Sequence, residues 1–381
     1  MQYDVVVAGA GPSGSAAARA CAEQGLSTLC IEENGTIGHP VQCAGLLSND
    51  AFAECRVSAR PVLNRVEGAR IVYGNGEELV IDPKKTMACV VDRASLDFEM
   101  ARAAADAGAE FRLRTAAYDV KATTLFTRGV AGHQEIGFKI LIAADGPRST
   151  IARLYGMERA RVFLAGIQAD IPFDCDPRLV ALYPHASPEF FGWMIPSGPA
   201  RARIGLCGQT GIPARFSAFL KKFGTNTTHF VTGTLPLGIM PKTYGNRTLF
   251  IGDAAGFAKP TSGGGVYTGI RTARHAAVVA AESCETGRFD DAFLARYEAR
   301  WRPDIGRELD LGYLLFTLRR KMTRDEIDSI LSALNDPEVI KIINEYGNMD
   351  RPAILIKKLL MRPSLYRCLA PLLTSGIRSF F

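Results

Sequence analysis

A strand-like run, Tyr3 to Ala8, ends in Gly9-Ala10-Gly11-Pro12-Ser13-Gly14 and is followed by helix formers from Ser15 to Gln24. Gly25 stops that helix, and a second strand-like run, Ser27 to Glu32, comes next. This arrangement restricts the fold more than any other feature, because each glycine has a separate physical task. Gly9 makes the tight turn, Gly11 lets backbone approach a pyrophosphate, and Gly14 lets the helix pack closely on the strand. The helix N-terminus then faces the phosphates with its unpaired N–H groups. Glu32 closes the second strand, where a carboxylate accepts hydrogen bonds from an adenosine ribose and repels a 2′-phosphate. The expected product is a βαβ unit that binds a dinucleotide.

The rest of the chain decides which dinucleotide. A nicotinamide dehydrogenase would continue with regular β-α alternation, whereas residues 33 to 60 are irregular. Two more glycine-acid signatures appear far downstream. Ile140-Leu141-Ile142-Ala143-Ala144-Asp145-Gly146 is a buried strand ending in Asp-Gly. Thr248-Leu249-Phe250-Ile251-Gly252-Asp253 ends in Gly-Asp, and it precedes Gly263-Gly264-Gly265 and a small-residue helix from Val266 to about Glu282.

These three motifs, in this order, resemble the two-domain FAD enzymes built like aromatic-ring hydroxylases. The resemblance implies that Asp253 binds a ribityl hydroxyl, that the Asp145 segment lies behind the flavin, and that Gly263, Gly264, Gly265 and Val266 approach its pyrimidine edge. A helix starting there would stabilise negative charge on the reduced ring. Val91-Asp92-Arg93-Ala94-Ser95-Leu96-Asp97 resembles the segment whose arginine, here Arg93, contacts the cofactor. The implied fold is α/β: a Rossmann-like FAD-binding domain, an inserted antiparallel β-sheet substrate domain and a helical C-terminal region. Residues 1–65, 86–155 and 245–300 are expected to form the FAD domain, with 66–85 a hairpin-like excursion. Residues 156–244 would form the sheet domain and 301–381 the helical region. In that last part, Thr323 to Leu334 and Pro337 to Tyr346 read as amphipathic helices started by Thr323 and Asp336.

Within that superfamily the chain looks most like the geranylgeranyl reductases. Pro40-Val41-Gln42-Cys43-Ala44-Gly45-Leu46 stands where those enzymes place a cysteine-containing loop against the isoalloxazine. Tyr183 to Pro196, containing Phe190-Phe191-Gly192-Trp193-Met194-Ile195-Pro196, resembles their aromatic-x-Trp-x-x-Pro substrate motif, and Gly205-Leu206-Cys207-Gly208 follows. Two departures are Ile195, where an aromatic is usual, and a GxxG rather than GxG spacing of the trailing glycines. By resemblance, Tyr183, Phe191, Trp193, Pro196 and Gly205 would meet the substrate, and Cys43 and Ala44 the flavin. A polyprenyl chain offers no hydrogen-bonding groups, so its site needs large apolar and aromatic side chains. Tyr183, Phe190, Phe191, Trp193 and Met194 could line such a wall by alternation on a strand, or could form an ordinary aromatic core. Saturating an isolated alkene requires hydride delivery to one carbon and a proton for the other, with orientation doing most of the work. Cys43 and Tyr183 are the candidate catalytic groups, and His185 is a further proton-relay candidate.

The expected reaction is therefore FAD-dependent saturation of geranylgeranyl chains in archaeal-type ether-lipid precursors. The electron donor, whether NADPH, ferredoxin or coenzyme F420, is not encoded in any second dinucleotide fingerprint. Other readings are an FAD monooxygenase of an aromatic compound and a noncatalytic prenyl-binding protein resembling the escorts of prenylated GTPases. A halogenase is disfavoured by its partly imitated Trp motif and by the lack of a nearby lysine in sequence.

Charge adds one further constraint. The six basic residues of the last segment, Arg351, Lys357, Lys358, Arg362, Arg367 and Arg378, equal the whole formal excess of +6, and that segment has no acidic residue. Apolar clusters alternate with them, so either these helices pack on the body with their cations in solvent, or they meet an anionic bilayer surface. Nucleic acid is a poorer fit, because polar and aromatic base readers are not interleaved. Nine scattered cysteines without a CxxC pair, and five dispersed histidines, point away from disulfides and from a metal site. No signal peptide or spanning segment is read, so a cytoplasmic protein, at most peripheral on the membrane face, is expected.

Overall fold

The computed structural model describes residues 2–74, 76–224, 227 and 230–366. Among these residues the strands form sheets of eight, seven and three. The first sheet has a parallel core in the order Thr248–Phe250, Gly132–Ala143, Gln2–Ala8, Thr28–Ile31 and Glu110–Arg112. Parallel strands are covered on both faces, which explains their unbroken apolar runs. Val5, Val6, Val7, Ile140, Leu141 and Ile142 are fully buried. Burying each such side chain contributes about 1.5–3 kcal/mol.

The first helix, Pro12–Glu23, starts three residues before the expected Ser15, because Gly11 caps it and Pro12 occupies its first turn. It crosses the Val266–Thr286 helix at close range. A Cβ on Gly252 or Gly269 would stand 2.4 or 2.1 Å from Ser13 Oγ. The second of these helices outlasts the expected Glu282 and stops at Gly287, whose φ of 67° is the left-handed conformation that ends helices.

The seven-stranded sheet runs Val231–Leu237, Val162–Pro172, Arg201–Gly208, Gly192–Gly198, Leu179–Tyr183, Gly68–Tyr73 and Glu77–Ile81. Its five strands between Val162 and Leu237 pair antiparallel, as expected for the inserted domain, and the one parallel pair joins Leu179–Tyr183 to Gly68–Tyr73 of the 66–85 excursion. The parallel pair arises because the Gly68–Ile81 hairpin comes from a distant part of the chain and docks on an open edge. One face of this sheet is covered by the Ile212–Lys221 helix, whose Phe216, Phe219 and Leu220 pack on Ile167, Ile204 and Leu206. The small sheet of Leu46–Ser48, Ala88–Val91 and Val62–Val66 packs under the other face, where Val66 and Val90 meet Val180 and Ile195.

The C-terminal helices include Arg307–Arg319, Arg324–Leu334, Pro337–Tyr346 and Ala353–Leu360. Thr323 forms a full capping box with Glu326, and Asp336 accepts the N–H groups of Glu338 and Val339. This region is fastened at two places. The Arg319 guanidinium donates to the carbonyls of Pro184, Ser187 and Pro188. Asp350, almost wholly buried, accepts from Lys259 Nζ and from Ser48 Oγ. Arg367 and Arg378 lie outside the described residues.

Candidate active site

The glycine turn is built as its spacing demands. Gly9 has φ of 100°, and a Cβ there would lie 2.4 Å from the Ala144 carbonyl oxygen. A Cβ on Gly14 would strike the Gly9 carbonyl oxygen at 1.8 Å. At Gly11 it would meet nothing within 4 Å, so this glycine faces open space at the helix N-terminus. Glu32 is drawn to the turn: one carboxylate oxygen accepts from Ala10 N–H at 2.9 Å, the other from Asn34. Backbone donors, helix terminus and carboxylate thus converge where a pyrophosphate and a ribose would bind.

Asp253 stands at the turn before the long helix. Among the described residues its half-buried carboxylate takes no hydrogen bond, and a Cβ on Gly265 would stand 2.8 Å from its Oδ1. Burial pushes its carboxyl up to about 6, although the Arg93 charge acts the other way. An acceptor without a protein donor, beside a glycine that leaves room, fits a ribityl hydroxyl. Gly263, Gly264 and Gly265 continue this cradle into the helix start at Val266. Lys259 folds against it, since a Cβ on Gly264 would be 3.1 Å from Lys259 Cε.

The Asp145 carboxylate accepts from Ser149 Oγ at 2.7 Å and from Ile151 N–H at 3.0 Å, which ties it to the start of the Thr150–Leu154 helix. Only its backbone borders the Gly9 turn. Burial raises its carboxyl despite those bonds.

Arg93 opens the Arg93–Asp106 helix and pairs with Asp97 through two hydrogen bonds of 3.1 and 3.0 Å, both side chains nearly buried. Burial works against its charge, but Asp97 and the neighbouring Cys43 thiol outweigh it and hold the guanidinium above its usual range. Cys43 itself lies on the loop between strands, half-buried, its sulfur 3.3 Å from Gly45 N. This loop is gripped from the second sheet. Gln168 Nε2 donates to the Cys43 carbonyl at 2.8 Å, and Arg203, held by Asp170, donates to the Ala44 carbonyl at 2.7 Å.

Gln168, Gly205 and Trp193 form one row across three neighbouring strands, by register. A Cβ on Gly205 would lie 2.5 Å from the Trp193 ring and 2.7 Å from Gln168 Cβ, so only glycine lets the indole lie across this strand. Trp193 Nε1 and Gln168 Oε1 are buried without a hydrogen-bond partner among the described residues. Two orphan polar atoms beside the Cys43 loop mark a place where another molecule completes the bonding. Phe190 and Phe191 stack at 4.3 Å and extend this apolar wall towards Gly263, whose Cβ would stand 3.6 Å from the Phe190 ring.

The structure therefore sets Gly9, Gly11, Gly14 and Glu32 together at the first turn, and brings Cys43, Ala44, Arg93, Asp253, Gly263, Gly264, Gly265, Val266, Phe191, Trp193 and Gly205 to where the loops of the first sheet meet the second. It does not bring Tyr183 there. Tyr183 and Met194 point to the opposite face of the second sheet, where Tyr183 packs on Phe219 at 5.0 Å and Phe223 at 5.7 Å. Pro196 shares that register face and is buried. His185 bonds Asp328 of a C-terminal helix at 2.5 Å. Tyr183 is thus corrected from catalytic candidate to core residue. Gln168 and Arg203 were not anticipated; their importance comes from cross-sheet bonds that no local motif announces.

An open glycine at a helix N-terminus, a carboxylate beside it, an Asp253 without a hydrogen bond among the described residues and a cysteine loop under an aromatic wall are the build of a flavin-dependent oxidoreductase. Residues 4–126 match the family model described as FAD dependent oxidoreductase. The chain is 32% identical to digeranylgeranylglycerophospholipid reductase 2 of Methanothermobacter thermautotrophicus, over 92% of this chain and 98% of that one. It belongs to the digeranylgeranylglycerophospholipid reductase family. A geranylgeranyl bacteriochlorophyll reductase-like structure from Thermoplasma acidophilum superposes with a TM-score of 0.84 at 24% identity, over 94% of this chain and 98% of that one. The p-nitrophenol 4-monooxygenase of Pseudomonas putida shares the fold with a TM-score of 0.72 at 18% identity, over 90% of this chain and 96% of that one.

Proposed function

We propose that this protein saturates the isoprenoid double bonds of geranylgeranyl chains in an ether-lipid precursor. The observation that carries this reading is the match to the Methanothermobacter reductase across 92% of the chain, which takes in the second sheet with its aromatic wall as well as the cofactor cradle. Residues 1–65, 86–155 and 245–300 act as the FAD-binding unit, 156–244 as the substrate unit, 66–85 as a hairpin extending it, and the described part of 301–381, up to Tyr366, as a helical cover. Gly11 admits the pyrophosphate at the turn that Gly9 and Gly14 make possible, Glu32 the ribose, and Asp253 the ribityl chain. Bound FAD, reduced by an external donor such as NADPH, ferredoxin or coenzyme F420, supplies hydride.

The protein's own part is orientation. Trp193, Phe191 and Gly205 hold the apolar chain on the junction side of the second sheet, and the rigid row keeps one double bond in register. Cys43 shapes the reacting face beside Arg93, while Arg203 and Gln168 fix its loop. Because such a substrate resides in a bilayer, the protein works at the cytoplasmic membrane surface.

The test is anaerobic reduction of the FAD-loaded protein followed by addition of a detergent-dispersed digeranylgeranylglyceryl phosphate. Flavin reoxidation with a lipid mass gain in steps of two hydrogens is expected. Oxygen-dependent turnover with an aromatic ligand and an unchanged lipid would establish a monooxygenase, and a colourless protein that still binds prenyl chains an escort.

A further inference from the structure

The Ala353–Leu360 helix has two faces with different fates. Leu355, Leu359 and Leu360 pack on Val339, Ile343 and Leu365, and Ile356 packs beside Leu311. The outward face carries Ile354, Lys357, Lys358 and Met361, spaced three and four residues apart, and the chain continues into Arg362 and Tyr366. Ile354 is 58% exposed, Met361 65% and Tyr366 46%. Apolar side chains this exposed and this close together lose free energy in water. From Arg351 to Tyr366 the sequence has four cations and no acidic residue.

We propose that this outward face is the surface through which the protein docks on an anionic lipid bilayer. The charge pattern selects the partner. Ile354 and Met361 enter the headgroup boundary, Lys357, Lys358 and Arg362 meet lipid phosphates, and Tyr366 sits at the interface with its ring buried and hydroxyl wet. No helix among the described residues is long and apolar enough to cross a membrane, so contact is by lying on it. The helix begins three residues after Asp350, which bonds Lys259 beside the Gly263–Gly265 cradle. Docking here brings the bilayer to the part of the molecule that borders the active site, an advantage that rests on the lipid-reductase reading, although vesicle binding itself does not.

The test is co-sedimentation of the FAD-loaded full chain with phosphatidylglycerol and with phosphatidylcholine vesicles. Binding to the anionic vesicles is expected, weakening with salt, and falling about tenfold or more in Lys357→Glu/Lys358→Glu. Ile354→Asp/Met361→Asp should lose binding equally, with flavin absorbance and reduction of detergent-dispersed substrate unchanged. Equal binding by the variants, or no binding to phosphatidylglycerol, overturns the proposal. So does a concentration-dependent dimer that Ile354→Asp/Met361→Asp abolishes without any vesicle binding, since a second copy would then be the occupant. Vesicle binding by a protein that reduces no polyprenyl lipid would overturn the functional reading and leave the docking surface standing.

Discussion

At the scale of single residues, Asp253 ties structure to a measurable pH dependence. Burial lifts its carboxyl from an ordinary 3.8 to about 6, so across that window the folded chain holds a proton that the unfolded chain releases. Stability of the FAD-free protein should therefore fall as pH rises from 3.8 to about 6. The effect is at most about 3 kcal/mol, reduced by whatever water reaches the partly buried carboxylate. Thermal unfolding of wild type and Asp253→Asn across this range should differ in slope, because Asp97 and Asp145, also raised by burial, are common to both. Parallel curves would assign the slope elsewhere. The residues of the cradle were legible in the sequence because their chemistry is local: a glycine spacing, an acid at a strand end. Gln168 was not, because its bond to Cys43 spans 125 positions and depends on which strands become neighbours.

At the scale of elements, the helix starts at Thr323 and Asp336 were readable because a cap is a property of four consecutive residues. The aromatic wall was only half readable. Adjacent residues of a strand face opposite ways, so Trp193 and Met194 cannot share one wall, and Met194 and Tyr183 stand on the far face from Trp193. The segment around Asp350 was silent in sequence, yet it joins three elements through Lys259 and Ser48. Removing the carboxylate leaves a lysine, 10% exposed, without its counter-charge. Asp350→Ala should cost about 3–5 kcal/mol in urea unfolding of the FAD-loaded protein, while Lys259→Met with Asp350→Leu should recover much of that loss. A single variant as stable as wild type would show that the ion pair contributes little.

At the scale of the whole molecule, the cradle draws on the N-terminal turn, the Arg93 helix and the turn at Asp253, so FAD should stabilise the fold as a unit. Free FAD at a hundredfold excess over its dissociation constant should add about 2.7 kcal/mol and raise the melting temperature as its concentration rises. A melting temperature indifferent to FAD would contradict the assignment of the cradle. The order of motifs along the chain also announced two lobes, whereas the docking of the Gly68–Ile81 hairpin on a distant sheet edge had no local signature to read.

The wedging of Ser13 between Gly252 and Gly269 has a consequence for how the chain is made. The first strand and helix leave the ribosome early, but their partners are the Gly132–Ala143 strand and the Val266–Thr286 helix. At a translation rate of about 5–20 residues per second, the N-terminal segment waits roughly 15–60 s for the last of them. Until those partners arrive Val5, Val6 and Val7 pair only with Thr28–Ile31, so the other edge of the first strand stays open, and a nascent chain so exposed is a natural client for chaperones that shelter greasy segments during synthesis.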